Sequence, residues 1–215
     1  MTLLAVSAVI SGCSDSGARA HFPEPSSPRA RASGSDSVVF AGGCFWGVQA
    51  VFRRVKGVER AVSGYAGGTA LSANYETVSS GVTGHAESVK VVFDPSKVSF
   101  GNLLAVFFIV AHDPTQLNAQ GPDEGPQYRS AIFHRNDAQR AATVAYIRQL
   151  DSAHAFRRPI VTQVVSFDGF YAAEEYHQDY FEKHPDEPYI VYNDAPKVNH
   201  LRRRFPALYA ARRPR

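Results

Sequence analysis

Apolar positions recur along this chain with two periods. Ser37-Val38-Val39-Phe40 predicts a short buried strand. Phe45, Val48, Phe52 and Val55 then repeat at helical spacing and predict a helix with one apolar side. Val58 to Tyr65 predicts a strand that closes in the turn Gly67-Gly68. Glu87, Val89, Val91 and Phe93 alternate with Ser88 and Lys90, which predicts a strand whose apolar face includes Glu87. Ser99 can cap a helix carrying Leu103, Leu104, Phe107 and Phe108, ending before Pro114. Past a loop rich in glycine and proline, Tyr128 to Phe133 predicts a strand, and Asp137 caps a helix with Val144 and Ile147. Ile160 to Ser166 predicts another strand, and residues 172 to 182 a last helix with Tyr176 and Tyr180. Strands returning between helices, without an internal repeat, predict an α+β domain with helices packed on a small mixed sheet.

The two ends of the chain have a different character. Leu3 to Ile10 is apolar but too short to span a bilayer. It ends in Ile10-Ser11-Gly12-Cys13, which resembles a bacterial lipobox, whose cysteine becomes lipidated. Residues 1–13 are therefore expected to be a lipoprotein signal segment anchoring the protein to a membrane through Cys13, with the folded part facing the periplasm. No Lys or Arg precedes the apolar run, so a cytoplasmic protein whose true start lies elsewhere is the alternative. Of the 23 residues from Ser14 to Asp36, 11 are Ser, Pro or Gly and none is a large aliphatic. Residues 14–36 read as a flexible linker, with a reach on the order of 25 to 30 Å. That leaves 37–206 as one domain of ordinary size and 207–215 as a basic tail. The formal charge of +3 comes from the last stretch: residues 201–215 hold six Arg and no acid, so the body is mildly acidic. A solvated terminus accounts for such a tail, and no nucleic-acid partner is expected.

Candidate chemistry concentrates in Gly42-Gly43-Cys44-Phe45-Trp46-Gly47, which holds the only tryptophan and one of two cysteines. Cys44 falls at a glycine-turned junction between strand and helix. Unpaired N–H groups and the helix dipole there favour a thiolate. The alternative is a small buried cysteine packing as a hydrophobe. Glu87 is either a buried carboxyl that keeps its proton, and so a general acid, or a glutamate at an exposed strand end. His85 and Glu87 form an H-x-E pair, but no P-C-x-x-C accompanies it, and Glu174 with His177 gives only a single Glu-x-x-His. The glycine pairs precede neither a P-loop nor a dinucleotide fingerprint. No metal and no organic cofactor is expected.

The motifs together resemble a known family. Gly43-Cys44-Phe45-Trp46-Gly47, Gly64-Tyr65-Ala66-Gly67-Gly68, Asn74-Tyr75-Glu76-Thr77-Val78, Gly84-His85-Ala86-Glu87, Phe93-Asp94-Pro95, His112-Asp113-Pro114 and Gln127-Tyr128-Arg129-Ser130 follow one another in order. Over about Val38 to Phe205 the chain resembles the A-type peptide methionine sulfoxide reductases. The resemblance implies a two-layer α/β sandwich with a mixed sheet and a ferredoxin-like core. It implies that Cys44 attacks the sulfur of a methionine S-sulfoxide, free or in an oxidised protein, while Glu87 protonates the oxygen, leaving Cys44 as a sulfenic acid. Tyr75 and Tyr128 would hydrogen-bond that oxygen, Phe45 and Trp46 would wall the methyl group, and Asp123 would help bind substrate. Tyr75 and Tyr128 as half-buried tyrosines, and Asp123 as a turn residue, are the structural alternatives.

Many relatives carry resolving cysteines near the C-terminus, whereas this sequence has no Cys after Cys44. The expectation is a one-cysteine cycle in which an external thiol, from a thioredoxin-like or glutaredoxin-like donor or a small molecule, attacks the sulfenic acid directly. Two other classes fit less well: a thiol peroxidase or disulfide oxidoreductase, for which a C-x-x-C or a resolving partner is missing, and a lipid-anchored binding module for oxidised methionine, against which the pairing of Cys44 with Glu87 speaks.

Overall fold

The computed structural model describes residues 22–25 and 34–211. The expected signal segment with Cys13, most of the expected linker and the end of the basic tail lie outside the described residues.

Strand β1 (Asp36–Gly42) runs directly into helix α1 (Phe45–Phe52), followed by β2 (Val58–Ala66), a short helix α2 (Tyr75–Ser79) and β3 (Ala86–Phe93). Helix α3 (Phe100–Val106) comes next, then a two-stranded ribbon of β4 (Ala119–Gln120) and β5 (Asp123–Glu124). The remainder is β6 (Ser130–His134), α4 (Asp137–Ser152), β7 (Gln163–Ser166), β8 (Phe170–Ala172), α5 (Tyr180–Lys183) and α6 (Ala195–Arg204). The main sheet has the order β7-β6-β1-β3-β2-β8. Its inner four strands, β6-β1-β3-β2, pair antiparallel and connect through α1 and α3. That is the ferredoxin-like arrangement; β7 adds parallel to β6 on one edge and β8 antiparallel to β2 on the other.

Both faces of β1 are apolar because both are covered. Val38 and Phe40 point into the large core under the helices, with Val89, Val91 and Phe93 of β3, Phe45, Val48 and Phe52 of α1, and Leu103 and Leu104 of α3. Val39 and Ala41 face a second, smaller cluster with Ala66, Ala131 and Phe133. Phe40 is stacked between Phe52 and Phe107, at 4.9 and 4.7 Å between ring centres. This fixes the end of β1, and hence the start of α1, against the middle of the core.

Several elements differ from the sequence reading. Helix α1 ends at Phe52, so Val55 lies beyond it and pairs instead as an isolated bridge with Tyr209. Ser99 caps α3 in a full capping box with Asn102, and the helix continues as a wider π-type turn over Phe107–Ala111 before Pro114. Asn136, not Asp137, caps α4, its side chain accepting from Gln139 N–H. Tyr128 sits in a 3-10 turn opened by Pro126, and its strand begins only at Ser130.

The expected helix over 172–182 is broken. Glu175–His177 form one 3-10 turn, Gln178 turns extended, Asp179 takes a left-handed backbone at φ 58°, and only then does α5 begin. Tertiary hydrogen bonds override helix propensity here. The Gln178 carboxamide accepts from Ser63 N–H and Gln49 Nε2, and donates to the carbonyls of Ser63 and Ala173. Within the expected linker, Phe22 meets Phe156 edge-on at 5.6 Å and Tyr146 OH donates to Pro23 O at 3.2 Å. Those residues are seated on the domain, and a free tether does not describe them.

Candidate active site

The junction between β1 and α1 is shaped by glycine. Gly43 has φ 84°, a left-handed conformation, and a Cβ there would stand 2.4 Å from Gln120 Cγ. Gln120 of β4 is itself clamped, accepting from Asp113 N–H at 3.1 Å and donating to Asp113 O at 3.0 Å. The turn delivers Cys44 to the N-cap of α1.

Cys44 is free and only 7% exposed. Burial pushes its thiol well up, and the charges of Glu87 and Asp194 push it further. The Trp46 amide and the Lys197 ammonium pull it back, without prevailing. The helix start thus acts in the direction expected from sequence, but desolvation wins, and the resting group is the thiol.

Glu87 lies beside it on β3, 4% exposed, and accepts from Phe45 N–H at 3.0 Å. Burial raises its pKa to about 8; the Phe45 hydrogen bond resists and the nearby Asp123 and Asp194 add to the rise. Of the two readings open in the sequence, the buried, proton-holding carboxyl is the one present.

The aromatic residues assemble around this pair. Phe45 is buried beneath, its ring 5.0 Å from that of His177. Trp46 stacks flat on Tyr180 at 3.7 Å, meets Tyr189 edge-on at 5.7 Å, and donates through Nε1–H to His177 Nδ1 at 3.2 Å. Tyr75, at the start of α2 and partly exposed, packs on His177 at 4.5 Å, and its N–H donates to Glu174 at 2.9 Å. Tyr128 is raised by burial and by the charges of Glu87, Asp123 and Cys44, which places it in the same cluster. Asp123 is raised by burial and accepts a hydrogen bond from Tyr189 OH. The five aromatic and acidic residues expected around Cys44 and Glu87 are therefore brought together. Among the described residues no group of three or more His, Cys, Asp or Glu could hold a metal.

Sequence reasoning named His177 only as part of a single Glu-x-x-His and missed Tyr189, Asp194 and Lys197. One signal was available for the last two: Asn193-Asp194-Ala195-Pro196 is a helix start, with an acid followed by proline in the first turn. A cleft of about 370 Å³ between α1 and β2, lined by Gln49, Arg53 and Arg60 among others, shares no residue with this cluster.

Comparison with known proteins agrees with this geometry. The family model described as peptide methionine sulfoxide reductase matches residues 36–208. The chain is 59% identical over 179 residues to peptide methionine sulfoxide reductase MsrA 2 of Mesorhizobium japonicum, covering 83% of this chain and 92% of that one. It is 51% identical over 174 residues to MsrA 2 of a Synechocystis strain, covering 81% of each. Among solved structures, the fold is similar to reduced Mxr1 from Saccharomyces cerevisiae, at 32% identity and TM-score 0.65, over 71% of this chain and 87% of that one. It is also similar to methionine sulfoxide reductase A of Corynebacterium diphtheriae, at 33% identity and TM-score 0.62, over 76% and 82%. A family match running over nearly the whole described domain, with relatives of this identity and coverage, fixes the membership: the protein belongs to the peptide methionine sulfoxide reductases, and within them to the A type.

Proposed function

We propose that the reduction of methionine S-sulfoxide to methionine runs in this chain through Cys44 as nucleophile and Glu87 as general acid. The observation that carries the assignment is the juxtaposition of the two: Glu87 is held by the amide of the residue that follows Cys44, with its pKa raised to about 8. The Cys44 thiolate attacks the sulfoxide sulfur, forming an S–S bond, and Glu87 gives its proton to the oxygen. The hydroxyl then passes from the substrate sulfur to the Cys44 sulfur as the S–O and S–S bonds break, so that Cys44 becomes a sulfenic acid, methionine leaves and Glu87 remains as carboxylate. The substrate sulfur is reduced by two electrons and the Cys44 sulfur is oxidised by two. Tyr75 and Tyr128 donate hydrogen bonds to the oxygen as charge develops on it. Trp46 walls the methyl group above the floor formed by Phe45, and Asp123, oriented by Tyr189, binds the polar part of the substrate.

A first external thiol then attacks the sulfenic acid, forming a mixed disulfide and water, and a second thiol releases Cys44. A dithiol protein of the thioredoxin or glutaredoxin type supplies both. The sequence supports this route, because no cysteine follows Cys44. The test is turnover of resolved sulfoxide epimers of a blocked methionine with dithiothreitol. Wild type consumes the S epimer alone, Cys44→Ser is inactive and Glu87→Gln is strongly impaired. Full activity in either variant overturns the assignment.

The segment Ile10-Ser11-Gly12-Cys13 supports attachment of lipid at Cys13, and with it a place at the cell-envelope membrane. No helix among the described residues is long and apolar enough to cross a membrane. Metabolic labelling with a radioactive fatty acid, lost in Cys13→Ala, is the expected result; label absent from wild type excludes the anchor.

A further inference from the structure

Asp194 is wholly buried, and among the described residues only one of its oxygens is partnered: Oδ1 accepts from Lys197 Nζ at 3.0 Å, while Oδ2 has no hydrogen bond. It stands at the N-cap of α6, yet its side chain caps nothing there. It turns across to α1 instead and lies against Gly47, where a Cβ would come within 2.1 Å of Asp194 Oδ1 and 2.9 Å of Lys197 Nζ. Gly47 sits inside a helix, where glycine is a poor choice, and its φ is not in the left-handed region. Its missing side chain therefore provides room for the ion pair rather than conformational freedom. A half-partnered buried ion pair is weak support for stability, so its placement calls for another account.

That placement is the first turn of α1, three residues after Cys44. The groups that bear on the Cys44 thiol are Glu87 from β3, Asp194 and Lys197 from the start of α6, and the phenols of Tyr128, Tyr180 and Tyr189. Glu87 and Asp194 oppose a negative sulfur, and Lys197 favours it. The same ammonium favours the charged form of Asp123.

We propose that Lys197, held by Asp194 over Gly47, is a positioning residue whose ammonium stabilises the Cys44 thiolate at the moment of attack. The proposal rests on Cys44 being the nucleophile. Attack requires the thiol to lose its proton while Glu87 keeps its own, and burial opposes the first of these. An ammonium fixed beforehand beside the helix start lowers that cost without rearrangement when the substrate arrives. Asp194 fixes its position while itself opposing the thiolate, and more strongly than Lys197 favours it.

The test is titration of the Cys44 thiolate by its ultraviolet absorbance, with the Cys44→Ser signal subtracted, together with steady-state kinetics. Lys197→Met is expected to raise the midpoint by about one pH unit, so that about tenfold less thiolate is present below it, and to lower kcat about tenfold with KM unchanged. Lys197→Arg, which keeps the cation, stays close to wild type. Asp194→Asn lowers the midpoint, since a charge opposing the thiolate is removed. Should Lys197→Met not fold, Lys197→Gln, which can still donate to Asp194, carries the same comparison. A purely structural pair would shift the Lys197 and Asp194 variants in the same direction. That result, or an unmoved midpoint in the Lys197 variant, overturns the proposal. Turnover surviving in Cys44→Ser would overturn the nucleophile assignment instead.

Discussion

The amide N–H of Phe45 donates to Glu87 Oε2 at 3.0 Å, joining the carboxyl of β3 to the first helical residue after Cys44. A backbone donor of this kind favours the carboxylate, yet Glu87 is held near a pKa of about 8 because burial outweighs it and Asp123 and Asp194 lend their charge. The Cys44 thiol is pushed up as well, with Glu87 among the causes. At neutral pH the pair thus carries two protons, whereas the attacking state carries one. The titrations are coupled, since ionising either group raises the other.

Turnover should report that single-proton state. Below pH about 8 the value of kcat/KM is expected to rise tenfold per pH unit as the first proton leaves the pair, and to level off above it. The plateau ends where the second group ionises. Glu87→Gln removes the limb near 8, leaving a low rate that rises only with ionisation of the Cys44 thiol, and the loss on the plateau should be about 10²–10⁴-fold. The check is kcat/KM for a blocked methionine S-sulfoxide across pH 6 to 10, taken as roughly the span the two groups cover. A wild-type profile that falls through pH 8 from an acidic plateau would mean that Glu87 does not share its proton with Cys44 in this way.

Folding stability should carry the same carboxyl's signature. Glu87 holds its proton up to about 8 when folded and only to its ordinary 4.5 when unfolded. Between those values the folded state binds more protons than the unfolded one, so stability falls as pH rises through this window. The difference across it is roughly 3–5 kcal/mol at 1.36 kcal/mol per pKa unit. Glu87→Gln keeps an oxygen for Phe45 N–H and loses the ionisation. Urea unfolding should find the variant equal to wild type near pH 4.5 and more stable near pH 8. Parallel stability curves for the two proteins would contradict the buried, proton-holding carboxyl.

The parts of this site that could be read from sequence are those carried by local pattern. The run ending at Gly42 and the periodic Phe45, Val48 and Phe52 place Cys44 at a strand-to-helix turn, and the alternation through Phe93 places Glu87 on the core face; both placements hold. What was not legible depends on partners distant in sequence. Gln178 breaks the expected last helix because Ser63 and Gln49 offer it hydrogen bonds, and the break is what lets Tyr180 lie flat on Trp46. Tyr189 precedes and Asp194 ends an irregular, π-type segment with no clear period, so even the local Asp194-Ala195-Pro196 pattern does not show that these side chains face Asp123 and Gly47. The push toward a thiolate expected at Cys44 is opposed for a similar reason. The helix start is a local feature, and the burial and the carboxyls that outweigh it are not.

Gly47→Ala sets two local rules against each other. Alanine is the better helix residue by about 1 kcal/mol. Its Cβ would nevertheless stand 2.1 Å from Asp194 Oδ1, and Asp194 is fully buried with little space to retreat. Overpacking of this kind costs about 1–3 kcal/mol, so a net loss of stability is expected. Denaturant midpoints for the variant and wild type decide the matter: a more stable variant would mean that the Asp194–Lys197 pair can move aside freely.

A chain without a cysteine after Cys44 should stop after one round when no thiol is supplied. Sulfoxide mixed with reduced enzyme alone is expected to yield one equivalent of methionine per active site, leaving a protein that has gained one oxygen atom on Cys44 and reacts with a sulfenic-acid trap. The site suits such a pause. Cys44 is 7% exposed within an aromatic enclosure, which slows attack by a second oxidant molecule. Adding dithiothreitol should then restore the thiol and release a further equivalent with each addition of substrate. Intact-mass measurement separates the outcomes. A loss of two hydrogens instead of a gain of oxygen would show a disulfide between Cys44 and Cys13, and the cycle would be a two-cysteine one after all.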